Sequence, residues 1–252
     1  MPRHPNIICP PEILVVTSKI QDGGQMFLCG TLYPFMKNDS LDQVVNKSPI
    51  TKTRLPLKDK AKWCHQLASA LSHTHFKANT YHINIKLGNF LLNDDEDLFV
   101  TDWEESEAPS STLAPEANGC WDVESIRKPR RTAGDSSTST SMFVYKKYEG
   151  TPRQHLWSWP EWNVFPTWRE ECPEALEKAE VFSLGRTMWM VLGQVASTCD
   201  IDVDSMVSWD ESASDIPQHW KHLVPRCVEA DPNKRIGLSE LTGCCEYFRR
   251  EH

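Results

Sequence analysis

From about Ala179 to Val195 the chain is apolar on nearly every side of a helix. Val181, Leu184, Met188, Leu192 and Val195 share one face, and Phe182, Trp189 and Met190 lie off it. A surface helix keeps one polar face; a helix apolar all round must be buried. The rest of the chain therefore has to be built around this segment. With 252 residues, 39% hydrophobic and 25% charged, there is enough material for a large packed core. A wholly disordered chain is excluded. A second helix is expected from Leu57 to Phe76, a stretch without Gly or Pro. There Ala61, Cys64, Leu67, Ala68, Leu71 and His75 recur at helical spacing. Two further helical patterns close the chain. One carries Trp220, Leu223, Val224, Cys227 and Val228, with a kink expected at Pro225; the other carries Leu238, Leu241, Cys245 and Phe248.

Strand signals lie outside these helices. Ile13 to Val16 and Met26 to Cys29 flank a Gln21-Asp-Gly-Gly24 turn. Lys37 to Ser40 is polar and turn-like. Leu91-Leu92 and Leu98 to Val100 flank the acidic turn Asn93 to Asp97, a hairpin with a five-residue loop. That turn lacks the Gly and distal Glu of a calcium loop. From Glu104 to about Lys147 Ser, Thr, Pro and charge dominate, and a flexible loop is expected. It holds a basic knot, Lys128 to Arg131, and a hydroxyl run, Ser136 to Ser141. Trp157, Trp159, Trp162 and Trp168 then cluster, and an irregular packed segment is the expectation.

Composition narrows the function classes. A net charge of −8 argues against a general nucleic-acid binder. No apolar run reaches the about 18 residues a spanning helix needs. The first residues, Met1-Pro-Arg-His-Pro5, form no apolar leader, so the expected location is intracellular, cytoplasmic or nuclear, and not secreted. Nine cysteines are scattered without a C-x-x-C pair and are expected to be reduced, mostly buried residues. Neither Cys244-Cys245 nor His219-x-x-His222 completes a zinc pattern.

The chemistry-bearing stretch is His82-Ile-Asn-Ile-Lys-Leu-Gly-Asn89, set between the long amphipathic helix and the hairpin, which ends at Thr101-Asp-Trp-Glu104. It resembles the catalytic loop and metal motif of the protein kinase superfamily, H-R-D-L-K-x-x-N followed by D-F-G. His82, Lys86 and Asn89 match, and Asp102 falls thirteen residues after Asn89. Cys172-Pro-Glu174 resembles the A-P-E motif that closes the activation segment, Glu180 to Gly185 the D-x-x-S-x-G start of a buried helix, and Asp231 to Arg235 the D-P-x-x-R motif. His4-Pro-Asn-Ile7 is similar to the segment leading into the fourth N-lobe strand. Trp162 to Trp168 is similar to a stretch of kinase-like proteins of filamentous fungi.

The resemblance implies an α+β, protein-kinase-like fold: a remnant of the N-lobe sheet over 1–36, and a mostly helical C-lobe over 37–252 with an insertion at about 104–147. It implies ATP and Mg²⁺ as cofactors, the metal on Asn89 and Asp102, Lys86 at the transferred phosphoryl group, Pro34, Phe35 and Met36 as hinge, and Leu91 under the adenine. It implies that Arg235 pairs with the A-P-E glutamate, read as Glu174. The activation segment would then span 73 residues from Asp102.

This sequence also departs from the family pattern. Asn84 stands at the catalytic aspartate position, and an amide cannot act as general base. Ile83 replaces the neighbouring arginine, and Glu104 replaces the D-F-G glycine. No Gly-rich loop, β3 lysine or partner glutamate is recognisable. The expected function is a catalytically impaired, pseudokinase-type binding scaffold with a protein partner or substrate, no nucleic acid and no membrane. An open apolar sheet edge would call for a partner to cover it. The alternatives are an active Ser/Thr protein kinase whose N-lobe is missing from this chain, and a non-functional fragment of a truncated reading frame.

Overall fold

The computed structural model describes residues 2–11, 13–18, 26–51, 53–103, 111–126, 142–150, 164–195 and 207–251. These form a mixed α+β structure of six helices and three two-stranded antiparallel sheets. The basic knot, the hydroxyl run, the Gly23-Gly24 turn and Trp157, Trp159 and Trp162 lie outside the described residues. No described helix is long and apolar enough to cross a membrane.

The long amphipathic helix, α2, runs Leu57–Phe76 as its periodicity predicts, and buries Ala61, Cys64, Leu67, Ala68 and Leu71. The all-apolar segment lies in α4, Pro173–Gly193, in which every residue from Ala179 to Leu192 is buried. It starts six residues before the expected Ala179, because Pro173 is compatible with a first helical turn. It ends where Gln194 turns into the left-handed region at φ 56°. The last two helices, α5 (Gln218–Cys227) and α6 (Leu238–Arg250), pack on α4 and α2. Gly185 is where α4 meets α5: a Cβ there would collide with the Cys227 side chain.

Helix α1, Leu41–Thr51, stands where no helix was expected beyond the polar turn. Its start is a capping box: the Gln43 side chain accepts from the Ser40 N–H at 3.0 Å, and the Gln43 N–H donates to Ser40 Oγ at 3.4 Å. The S-x-x-Q string was therefore the available signal. Ser40→Ala is expected to cost about 1 kcal/mol in urea denaturation, with Gln43→Ala no more harmful once Ser40 is gone.

The sheets are small. Strands β1 (Ile13–Ser18) and β2 (Met26–Leu32) pair in the expected places, with a bulge between Val15 and Val16. Their apolar side chains face outward on both sides: Ile13, Leu14, Val15, Val16 and Leu28 are all exposed, Leu28 by 63%. Strands β3 (Phe90–Leu92) and β4 (Leu98–Val100) form the predicted hairpin. Its acidic turn is closed by the Asn93 side chain, which accepts from the Asp95 and Asp97 N–H groups. Ile7 adds beside β4 through a parallel bridge to Val100.

The expectation of a flexible loop over 104–147 is corrected over 111–126 and 142–147, where Pro115–Ala117 forms a buried helical turn and two strands follow. Trp121–Ile126 (β5) and Met142–Lys147 (β6) pair residue for residue. Asn233 holds β6 by exchanging two hydrogen bonds with the Phe143 backbone, at 2.9 and 3.1 Å. Trp168 sits buried in a short regular helix, α3 (Phe165–Glu171), and stacks on Phe165. The cysteine expectation holds for Cys64, Cys172, Cys227 and Cys245. It fails for Cys9, Cys29 and Cys120, which are exposed; all eight described cysteines are free thiols.

Two apolar clusters result. One surrounds α2, α4, α5 and α6 and takes in β3 and β4; the other joins Val123, Phe143, Phe165, Trp168 and the first half of α4. The extended segment 81–87 lies between them. Tyr81 and Ile83 plug into the second cluster, Ile85 and Leu87 into the first. Extended backbone alone would send all four to one side, since every second side chain shares a face. The turn at Ile83, at φ 58°, reverses the sides between Ile83 and Ile85 and anchors the segment in both clusters.

Candidate functional site

The loop 82–89 is held from below by one carboxylate. Glu180 Oε1 accepts from the backbone N–H groups of both His82 and Ile83, each at 2.7 Å. Glu180 Oε2 meets His75 Nε2 at 2.6 Å. Burial alone would push the Glu180 carboxyl up. The His75 hydrogen bond and charge, with the Ile83 N–H, outweigh burial and hold it below the usual carboxylate range. The clamp is needed because Ile83 sits at φ 58°, an uncommon conformation for a β-branched residue. The Asn84 N–H turns back to the His82 carbonyl at 2.7 Å, closing a three-residue turn about Ile83.

The expected site residues hang from this turn. His82 Nε2 lies 2.8 Å from the Thr101 carbonyl, so that nitrogen donates. Burial pushes the His82 imidazole below its usual value. The neutral ring therefore carries its proton on Nε2, and Nδ1 is left buried without a partner. The Trp103 ring packs edge-on against it, with centroids 4.6 Å apart. Asn89 Nδ2 donates to the Asn84 carbonyl at 2.8 Å. The Asn89 carbonyl accepts both the N–H and the hydroxyl of Thr101, at 3.0 and 2.9 Å. Asp102 follows at φ 62°, and its Oδ2 accepts from Asn84 Nδ2 at 3.0 Å. Asn84, Asn89 and Asp102 thus form one connected set. Asn84 is 2% exposed, and its Oδ1 has no partner. Turning the amide over would set oxygen against the Asp102 carboxylate, so the donor orientation is the one electrostatics selects.

Pro34, Phe35, Met36 and Leu91 line one cleft of about 780 Å³, and Asp102 and Trp103 close it. An adjoining cleft of about 740 Å³ shares the 33–36 segment. Lys86 is not in either. It lines a separate cavity of about 210 Å³ with Asp42, Ser111 and Thr112. The sequence-predicted residues therefore divide: five line the large cleft, Lys86 faces the small cavity, and Asn84 and Asn89 line neither but connect to Asp102 by hydrogen bonds.

The expected partner of Arg235 is corrected. Glu174 lies exposed in the first turn of α4. Arg235 instead pairs with Glu116 in a buried two-pronged bridge, at 2.6 and 3.3 Å. The guanidinium also donates to the carbonyls of Glu229 and Lys178 and packs over the Phe182 ring. The residues Ala114-Pro115-Glu116 spell A-P-E letter for letter. The string was legible. The sequence reading placed the motif at Cys172-Pro-Glu174 instead.

These residues as arranged do not fit a magnesium-bound triphosphate. Asn84 occupies one Asp102 oxygen. No Lys, Arg or His lines the 780 Å³ cleft among the described residues. Nor do the described residues contain a group of three or more His, Cys, Asp or Glu side chains placed to hold a metal. No known protein-family model matches the chain, and no curated protein matches it at a significant level.

Proposed function

We propose that this chain is a protein-kinase-like domain that acts by binding, not by phosphoryl transfer. The observation that carries the reading is Asn84: an amide at the position of the catalytic carboxylate, fully buried and donating to Asp102. A side chain that can neither accept the substrate proton nor release Asp102 without losing its hydrogen bond is a poor general base. The kinase-like reading itself is supported by the order of the contacts. Glu180 under the loop, His82 on Thr101, and Arg235 on an A-P-E glutamate all join motifs that the resemblance names. With A-P-E at 114–116, the segment from Asp102 to Glu116 is 15 residues, and 117–172 is an insertion that carries the β5–β6 hairpin.

The active-kinase alternative is favoured by Asn89 and Asp102, the two residues that the resemblance gives to the metal, being joined through Asn84. One assay separates the two. The full chain is incubated with radiolabelled ATP, magnesium and a basic protein substrate, beside Asp102→Ala. Incorporation indistinguishable from the Asp102→Ala background is expected. Transfer that Asp102→Ala abolishes would overturn the binding reading. A fragment that does not fold is contradicted by a cooperative thermal transition in the monomeric chain.

A further inference from the structure

The large cleft has walls suited to one kind of ligand and unsuited to another. Tyr33, Phe35 and Trp103 present aromatic surface, Leu91 lies among them, and the volume of about 780 Å³ is that of a small-molecule site. Its charged lining residues are Asp39 and Asp102, both acidic. Lys47 pairs with Asp39 at 2.5 Å from outside the lining. Lys86, the cation that a phosphate would seek, faces the small cavity instead. Asp102 is turned toward Asn84 rather than held open for a metal. A triphosphate entering here would meet Asp102 and no cation in the described lining, since Lys47 is engaged by Asp39 and Lys37, in the adjoining cleft, by Asp94. An uncharged aromatic ring would meet stacking surface, and a cationic one would also gain from the ring faces and the carboxylates.

We propose that this cleft binds a flat heteroaromatic ligand without phosphate, neutral or cationic, and discriminates against nucleoside triphosphates. The inference stands on the lining of the cleft and holds whether or not the kinase resemblance does.

The test is calorimetric titration of the full chain with three probes: adenosine, ATP and the flat cation 9-aminoacridine, each with and without magnesium. Adenosine and 9-aminoacridine are expected to saturate, with affinities that magnesium leaves unchanged. ATP is expected to bind at least tenfold more weakly than adenosine under both conditions. Phe35 is 84% exposed, so Phe35→Ala removes a wall without opening the core and is expected to weaken both aromatic probes about tenfold. Asp102→Asn, checked for an unchanged melting temperature, is expected to weaken 9-aminoacridine severalfold and to narrow the gap between adenosine and ATP. Magnesium-dependent ATP binding tighter than adenosine would overturn the proposal. So would the absence of binding by both aromatic probes, or binding indifferent to both substitutions. The phosphoryl-transfer assay does not read these affinities, so the two readings fail separately.

Discussion

Arg235→Ala is expected to destabilise the chain by about 3–5 kcal/mol, a large part of the 5–15 kcal/mol typical of a domain. The Arg235 side chain is fully buried, and its donors go to Glu116 and to the carbonyls of Lys178 and Glu229. Removing the cation leaves the Glu116 carboxylate, 8% exposed, without its counter-charge. Breaking one side of such a pair costs far more than the pair contributes. Glu116→Ala is expected to fall in the same range. The double variant is expected to be less destabilised than the sum, since each change removes the other's stranded charge. Glu174→Ala is expected to stay within about 0.5 kcal/mol, as an exposed position should. Urea denaturation of the four variants decides between the two glutamates. A large loss for Glu174→Ala with little for Glu116→Ala would restore the motif to 172–174 and undo the structural assignment.

Glu180→Ala is expected to have a comparable effect for a different reason. It strands the N–H groups of His82 and Ile83 and the His75 ring in a site that water does not reach. Each buried unsatisfied group costs about 1–3 kcal/mol. The Ile83 backbone at φ 58° would also lose the clamp that keeps it there. A total of about 4 kcal/mol is expected, with Trp103 fluorescence changing as the loop relaxes. Acid provides a second readout. The folded carboxyl of Glu180 lies below its ordinary value of 4.5. Its contribution is therefore complete above that ordinary value and is lost as the pH falls through the lower folded value. Wild type is expected to lose stability over that window more steeply than Glu180→Gln, which has no carboxylate to protonate. Parallel acid limbs for the two proteins would show that the Glu180 charge does not hold the loop.

Both predictions concern contacts between residues distant in sequence, and they mark where the sequence reading was strong and where it was weak. Helix α2 was legible to its ends because its apolar residues repeat at helical spacing and Pro56 bounds it. The β3–β4 hairpin was legible because Asn93 closes its own turn. Burial of α4 was legible because it offers no polar face. Helix α1 was missed because its apolar stripe is a single short set, Leu41, Val44 and Val45, and Pro49 follows it, although the Ser40–Gln43 capping box announces its start. The β5–β6 hairpin was missed because its strands are joined across a polar segment. Six-residue strands lying mostly at the surface leave little alternation to read.

The candidate site divides in the same way. Asn84, Lys86, Asn89, Leu91 and Asp102 could be named from order and spacing, since the motifs are short and contiguous. Periodicity, turn chemistry and motif order are local, and a single sequence expresses them directly. Whether Lys86 faces the large cleft, which way the Asn84 amide points, and which glutamate answers Arg235 are decisions of packing. The Glu116–Arg235 bridge joins residues 119 apart, and the Glu180–His82 bond residues 98 apart. Side chains so far apart find each other only when a common core brings their elements together. Two glutamates at the end of two A-P-E-like strings look alike until one of them is buried beside an arginine and the other is left in water.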